Sequence, residues 1–383
     1  MQSEAARQKA EFSPVLPPSS IRAMPDVLSW TSDGRQLAQV HDSWVALAAD
    51  ALGAALRRVS ARDGALGQEL VRRIRALSDT SFERLLLAPE TTFHLLPGRP
   101  VALDETARFL RRALRAEAAL LGPGEADDEE AWTALGDAHV TIDGVLLRGP
   151  QLDAMMPIDV GSPFSSSLDL TGVEYRLPHS RPPLAGDELA STLERIRRVG
   201  DALAIASPHI HHTTVRFTKV LILQKDEQLA FSSGSNGEYV GRSFLANPHH
   251  ASECDLADAI VHEAIHSVLY MQEEQQRWVL DTSLYAPVAQ ILSPWSGIAL
   301  PLRPFIQACF VWYGLLHFWA AALAHDAFPA ARSRYLFTRA ASGFMRGPLL
   351  ARIEPYLTAV TDDISDTVAE MQARVVTLIE EFR

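Results

Sequence analysis

The sequence predicts a mainly α chain with one small β-sheet, an α+β protein whose N-terminal half is helical and whose C-terminal half carries a candidate metal-binding helix. Three observations lead there. Apolar residues recur at helical spacing over most of 34–121 and again over 187–205. Short runs rich in Val, Ile and Phe gather between 212 and 245. His262-Glu263-Ala264-Ile265-His266 then sets two histidines four residues apart inside an apolar-faced segment.

Composition bounds the reading. With 383 residues, 47% of them hydrophobic, the chain is long enough for one large core or two abutting domains without disulfides or a structural metal. Cys254 and Cys309 are its only cysteines and form no CxxC pair, which argues against a Cys-rich zinc module and fits a reducing, cytoplasmic setting. A net charge of −12 without a basic stripe argues against a nucleic-acid surface. Met1 to Phe12 is polar and has no apolar h-region.

Taken in order, residues 1–33 are rich in Pro and Ser and read as an extended, poorly ordered arm. Residues 34–207 read as a mostly helical region that covers a cleft or binds peptide. Leu37, Val40, Trp44, Leu47 and Ala51 set the helical phase; Leu70, Ile74 and Leu77 continue it, as do Phe109, Leu110 and Leu114. Gly122-Pro123-Gly124 and the acidic run 127–130 form a surface loop. Within 132–186 the strand candidates are Val140-Thr141-Ile142 and Gly144-Val145-Leu146-Leu147, and helix resumes over Asp187 to Ile205. A boundary falls near Pro208, opening a metal-binding region over 208–383.

Here Val215, Phe217, Val220, Ile222 and Leu229-Ala230-Phe231 suggest two or three strands, Ser232 to Gly237 a turn, and Val240 to Leu245 another strand. Strands directly ahead of such a helix resemble the zincin arrangement, in which an edge strand pairs with an extended peptide. The 305–324 stretch is apolar enough to test as a membrane span. It contains Gln307 and His317 and stands alone, so a buried central helix is the better reading, and no membrane partner is expected. Residues Ile364, Val368, Met371, Val375 and Ile379 outline a final amphipathic helix.

The motif carries the chemistry. On a helix His262 and His266 share one face and can grip a single ion, while Glu263 is turned to reach a metal-bound water. Asp255 is the expected N-cap, with Asp258 in the acidic first turn. The competing reading is two core histidines satisfied by hydrogen bonds. A working site needs a third ligand. Glu273 and Glu274 lie two turns beyond His266 and read as a solvated face, and Asp281 would have to fold back. The metzincin extension is absent, since Leu269 and Gln272 stand at its positions.

The long helix offers His317 and Gln307 instead. Arg303, one turn before Gln307, suits a substrate or cosubstrate carboxylate because its planar fork binds carboxylates bidentately; the plainer alternative is an arginine reaching to solvent. His209, His211, His212, His249 and His250 read as polar surface near a cleft. Ser162 and Ser233 lack a GxSxG setting.

The HExxH helix, the downstream Ser293-Pro294-Trp295 and the run Ala308-Cys309-Phe310-Val311-Trp312-Tyr313-Gly314-Leu315-Leu316-His317-Phe318-Trp319 resemble the HExxH-motif peptide-modification proteins of ribosomal peptide natural-product clusters. The resemblance spans about 205–325, with a weak echo at Ala134-Leu135-Gly136-Asp137. It implies an iron- and 2-oxoglutarate-dependent peptide β-hydroxylase acting on an extended precursor peptide.

Three protein ligands on one side of Fe(II) would leave room for the keto-carboxylate and O₂. Arg303 would hold the distal carboxylate, and Glu263 would orient a neighbouring water or ligand. The chain departs from the family in one place: aligning the Cys-Phe-Val-Trp run puts Gln307 where a histidine is expected and Leu300 where an arginine is expected. His317 is the third ligand favoured by chemistry, because imidazole outranks a carboxamide, and Gln307 is the one favoured by the alignment. On an ideal helix they stand about 15 Å apart along the axis, so both cannot touch one ion. Two alternatives stay open: a zinc metallopeptidase with Glu263 as general base, and a catalytically impaired peptide-binding protein.

Overall fold

The computed structural model describes residues 20–32, 34–152, 156–159, 161–167, 182–227, 230–280 and 290–381. They are mostly helical with small sheets, an α+β chain. The helices are α1 (Met24–Leu28), α2 (Arg35–Arg62), α3 (Gly64–Ala76), α4 (Asp79–Leu87), α5 (Pro89–Leu95), α6 (Leu103–Ala119), α7 (Gly186–Ala206), α8 (Pro208–Phe217), α9 (Glu253–Gln275), α10 (Leu302–Ala324), α11 (Ala330–Phe344), α12 (Leu349–Arg352) and α13 (Asp362–Glu381). Two compact units are assembled from interleaved segments. One uses Asp42–Leu193 and Thr218–His250; the other uses residues 20–41, Glu194–Phe217 and Ala251–Arg383.

The first unit holds two sheets. β1 (Ala131–Trp132), β2 (Ala138–Val140) and β3 (Leu146–Arg148) form an antiparallel meander whose Ala131 and Val140 pack with Ala116 and Ala119 of α6. The turn between β1 and β2 requires Gly136. Its φ is +74°, and an added Cβ would lie 2.6 Å from an Asp159 carboxylate oxygen. Asp137 in that turn accepts from Thr133 Oγ1 at 2.7 Å and from Arg84 at 2.8 Å.

The second sheet runs β4–β5–β7–β6. β4 (Ile158–Asp159), β5 (Val220–Gln224) and β7 (Arg242–Ala246) are parallel, while β6 (Ser232–Ser235) runs antiparallel at the edge. Every residue of β5 and β7 is buried, as expected of parallel strands covered on both faces.

Three expectations are corrected. Residues 20–32 are not an extended arm: they form a 3-10 turn and α1, and Ile21, Met24, Val27, Leu28 and Trp30 are buried. Trp30 Nε1 donates to the Gly314 carbonyl at 2.9 Å, and Arg22 bonds Asp363 and Asp366. The rest of the arm, and Asp281 and Leu229, lie outside the described residues. Residues 212–217, read as strand from their β-branched content, belong to α8, where Pro208 suits the first turn and Ile210, Thr213, Thr214 and Phe217 are buried. Ser232–Ser235, read as a turn, is β6.

In the second unit α9 and α10 lie antiparallel. Trp319 Nε1 donates to Asp258 near the start of α9, Gly314 admits Ile265, and Arg303 meets Glu273 near its end. Adding a Cβ to Gly314 would bring it to 2.7 Å from Ile265 Cδ1, so the helices approach closely because glycine stands there. Among the described residues α10 is the one helix long and apolar enough to cross a bilayer, and 72% of its apolar window is buried within the protein. The short hairpin β8 (Ile291–Leu292) and β9 (Ala299–Leu300) precedes it.

Candidate metal centre

The HExxH residues lie in the middle of α9, which begins at Glu253 after a Ser252 cap. The Ser252 side chain accepts from the backbone N–H of Asp255. Asp255, the expected cap, instead sits in the first turn and pairs with Arg332. The two acids hold the helix by different means, since Asp258 accepts from Trp319 Nε1 and from Arg339, both at 2.7 Å. The i, i+4 spacing before His262 was the signal in the sequence that Asp258 shares its face.

His262 and His266 are half-buried and have ring centroids 5.0 Å apart. Trp312 stands edge-on to His262 at 6.3 Å, and Tyr270 stacks on His266 at 5.6 Å. Trp295 in turn stacks on Trp312, which also lies under the Arg339 guanidinium. Burial pushes both imidazoles down to about 4; the Arg339 charge adds to this at His262, and the charge of His262 adds to it at His266. Both rings are therefore neutral at physiological pH, the form that donates a lone pair to a metal. Glu263 is buried. His266 Nδ1 is enclosed and has no hydrogen-bond partner.

Beyond His266 the site becomes a polar chain. Gln307 of α10 donates from Nε2 to Glu273 Oε2 at 3.1 Å. Arg303 Nε is 2.9 Å from each oxygen of Glu273, and the guanidinium lies over Tyr270. Glu273 is buried, which corrects its reading as part of a solvated face; Glu274 is exposed, in line with that reading. Burial pushes the Glu273 carboxyl up, against the pull of Arg303 and Gln307.

His317 is placed differently. Its ring lies 4.5 Å from that of Tyr313, near the charge of Arg374 on α13, and burial pushes it down to about 4. Along α10 it lies two residues before Trp319, which meets Asp258, while Gln307 meets Glu273. Among the described residues no three or more His, Cys, Asp or Glu side chains gather into a metal-binding group, so His262, His266 and His317 are not brought together. His209, His211 and His212 lie on α8, and His249 and His250 sit in the 3-10 turn before α9 with their rings 3.9 Å apart and tilted by 44°.

One expected outcome follows from the histidines. Their folded values lie below the ordinary 6.5, so the unfolded chain binds more protons between pH 6.5 and about 4. Stability contributed by His262, His266 and His317 is thus present above pH 6.5 and is lost as pH falls towards 4. An NMR titration of the metal-free protein should keep these rings neutral to about pH 4; protonation near 6.5 would contradict it.

A scan against protein-family models and a search of curated proteins match nothing to this chain.

Proposed function

We propose that the chain is a metal-dependent peptide-modifying enzyme whose ion is held by His262 and His266. The observation that carries the reading is two neutral imidazoles four residues apart on α9 with centroids 5.0 Å apart, one of them with a buried Nδ1 that lacks a partner. These residues fit a divalent ion such as Fe(II) or Zn(II). A zincin-like arrangement belongs to the proposal, supported by the HExxH helix followed by its antiparallel partner α10. So do an extended peptide as substrate and a cytoplasmic site of action.

Iron- and 2-oxoglutarate-dependent β-hydroxylation of a residue in a ribosomally made peptide is the reaction the resemblance implies. Such a cofactor pair supplies an oxidant able to remove a hydrogen from carbon. Arg303, the expected anchor of the cosubstrate carboxylate, also holds Glu273 through Nε, which uses one of its five N–H donors. No step is assigned through that anchor. The chain's own contribution is to hold two neutral imidazoles on a rigid helix, with Trp312 and Tyr270 against their rings.

The second reading, a zinc peptidase, draws on Glu263, which stands next to a ligand in the sequence as a general base would. The third is a peptide-binding protein without catalysis, favoured by the lack of a third His, Cys, Asp or Glu ligand among the described residues. Incubation with a candidate precursor peptide, Fe(II), 2-oxoglutarate and air, followed by mass spectrometry, separates them. A gain of one oxygen is expected. Peptide fragments would establish the second reading, and a bound but unchanged peptide the third.

A further inference from the structure

We infer that the hairpin of α2 and α3 carries a docking cleft for a short acidic peptide segment, with Arg72 and Arg75 as its carboxylate-binding residues. The cleft lies within the first unit, and the inference stands apart from the metal reading above.

Between Arg57 and Arg75 the chain holds six arginines and two carboxylates, Asp63 and Glu69, although its overall net charge is −12. Both carboxylates are committed. Asp63 caps α3 by accepting from the Leu66 N–H, and Glu69 accepts from Arg73 at 2.8 Å. Arg73 also meets Glu125 at 3.5 Å, and Arg62 meets Asp104 at 2.9 Å. Among the described residues Arg57, Arg58, Arg72 and Arg75 pair with no acid, and all four are exposed. A helix dipole favours cations in its last turn, which accounts for Arg62, Arg73 and Arg75 but not for Arg57, Arg58 and Arg72.

The crossing of the two helices gathers part of this charge. A Cβ added to Gly67 would lie 2.1 Å from Ser60 Oγ and 2.6 Å from Ser60 Cα, so α2 and α3 meet closely because glycine stands there. Gln68, Val71, Arg72 and Arg75 share one face of α3. With Ser60 and Gly67 they line a cleft of about 330 Å³. Two like charges thus converge on one open space. An anion between them relieves their repulsion, and guanidinium forks bind carboxylates bidentately. Ser60 and Gln68 add hydroxyl and amide donors beside them.

The volume sits at the small end of the roughly 300–1,000 Å³ of ligand sites, which suits a few side chains of a peptide. A long polyanion is disfavoured. Glu125, which borders the hairpin at Arg73, belongs to a loop whose acidic run 127–130 repels a phosphate backbone extending past the cleft.

The test titrates the full chain into fluorescein-labelled hexaglutamate, with hexaglutamine as the neutral comparison, and reads fluorescence anisotropy. Wild type is expected to bind hexaglutamate alone, and more weakly as salt rises from about 0.01 M to about 0.15 M. Arg72→Gln with Arg75→Gln should weaken binding by about tenfold or more. Gln68→Trp, which keeps both charges and fills the cleft, should weaken it too. Arg277→Gln with Arg334→Gln removes the same charge from exposed sites elsewhere and should leave affinity unchanged. Circular dichroism checks that each variant is folded.

Absence of hexaglutamate binding by wild type overturns the inference. Equal losses in the Arg72/Arg75 and Arg277/Arg334 variants overturn it as well, since binding would then follow net charge. So does displacement of the peptide by inorganic phosphate or by hexathymidylate at a lower concentration than unlabelled hexaglutamate, which would make the ligand a phosphate. Should the Arg72/Arg75 pair fail to fold, Gln68→Trp decides alone: wild-type affinity in that variant overturns the cleft.

Discussion

If the proposed metal reading holds, alanine at His262 or at His266 is expected to abolish binding of a divalent metal and any activity that depends on it. Each imidazole is one of two that α9 presents with centroids 5.0 Å apart, and among the described residues no third histidine joins them to make good the loss of either. The weakening of Co(II) or Fe(II) binding should exceed the roughly 10–100-fold that a supporting residue costs. The fold should survive, because both rings are only half-buried and α9 keeps its Ser252 cap and its packing on α8 and α10. Metal content by mass spectrometry after dialysis, beside circular dichroism, reads both halves of the expectation. Wild-type metal content in the double alanine variant would show that the pair is structural, two core histidines on a helix.

Arg303→Ala is expected to destabilise the chain whatever it does to activity. Glu273 is 5% exposed in its side chain and Arg303 30%, so the substitution leaves an enclosed carboxylate that keeps only the Gln307 amide. Removing one partner of a fully enclosed ion pair costs about 3–5 kcal/mol. Solvent screening at the half-exposed arginine lowers the expected loss to roughly 2–3 kcal/mol.

The pH dependence gives a second check. The folded Glu273 carboxyl already lies above its ordinary value, so its ionisation works against folding, and increasingly so as pH rises from that ordinary value to the folded one. Loss of Arg303 raises the folded value further. The deficit of the variant should therefore narrow as pH is lowered, and urea unfolding at several pH values measures it. An arginine whose role is confined to holding a cosubstrate would leave stability unchanged and raise only the cosubstrate requirement.

Helical periodicity made much of this architecture legible. The phases of α2, α6, α7 and α13 stand in the spacing of their apolar residues, and α10 announces itself by a run too apolar for a surface helix. α8 was hidden because Thr213, Thr214, Val215 and Phe217 favour strands locally; in the folded chain, packing against α9 decides their conformation. β6 was hidden because Ser232–Ser235 carries turn residues, and only pairing with β7 makes it a strand. Trp30 and its neighbours read as part of an extended, poorly ordered arm because their burial depends on α10 and α13, hundreds of residues away.

The sequence by itself determined that His262, Glu263 and His266 sit together, since an i, i+4 spacing on one helix fixes that geometry without help from the rest of the chain. Which residues stand around them was decided by tertiary structure. Glu273, two turns past His266, has no sequence signal for burial; the antiparallel docking of α10 encloses it between Arg303 and Gln307. The same docking puts Gln307 against Glu273 and turns His317 towards Tyr313 and Arg374. Ligand strength ranks residue types, but contact between two helices depends on which faces meet. Here the close approach at Gly314 and Ile265 sets that meeting, and no single segment encodes it.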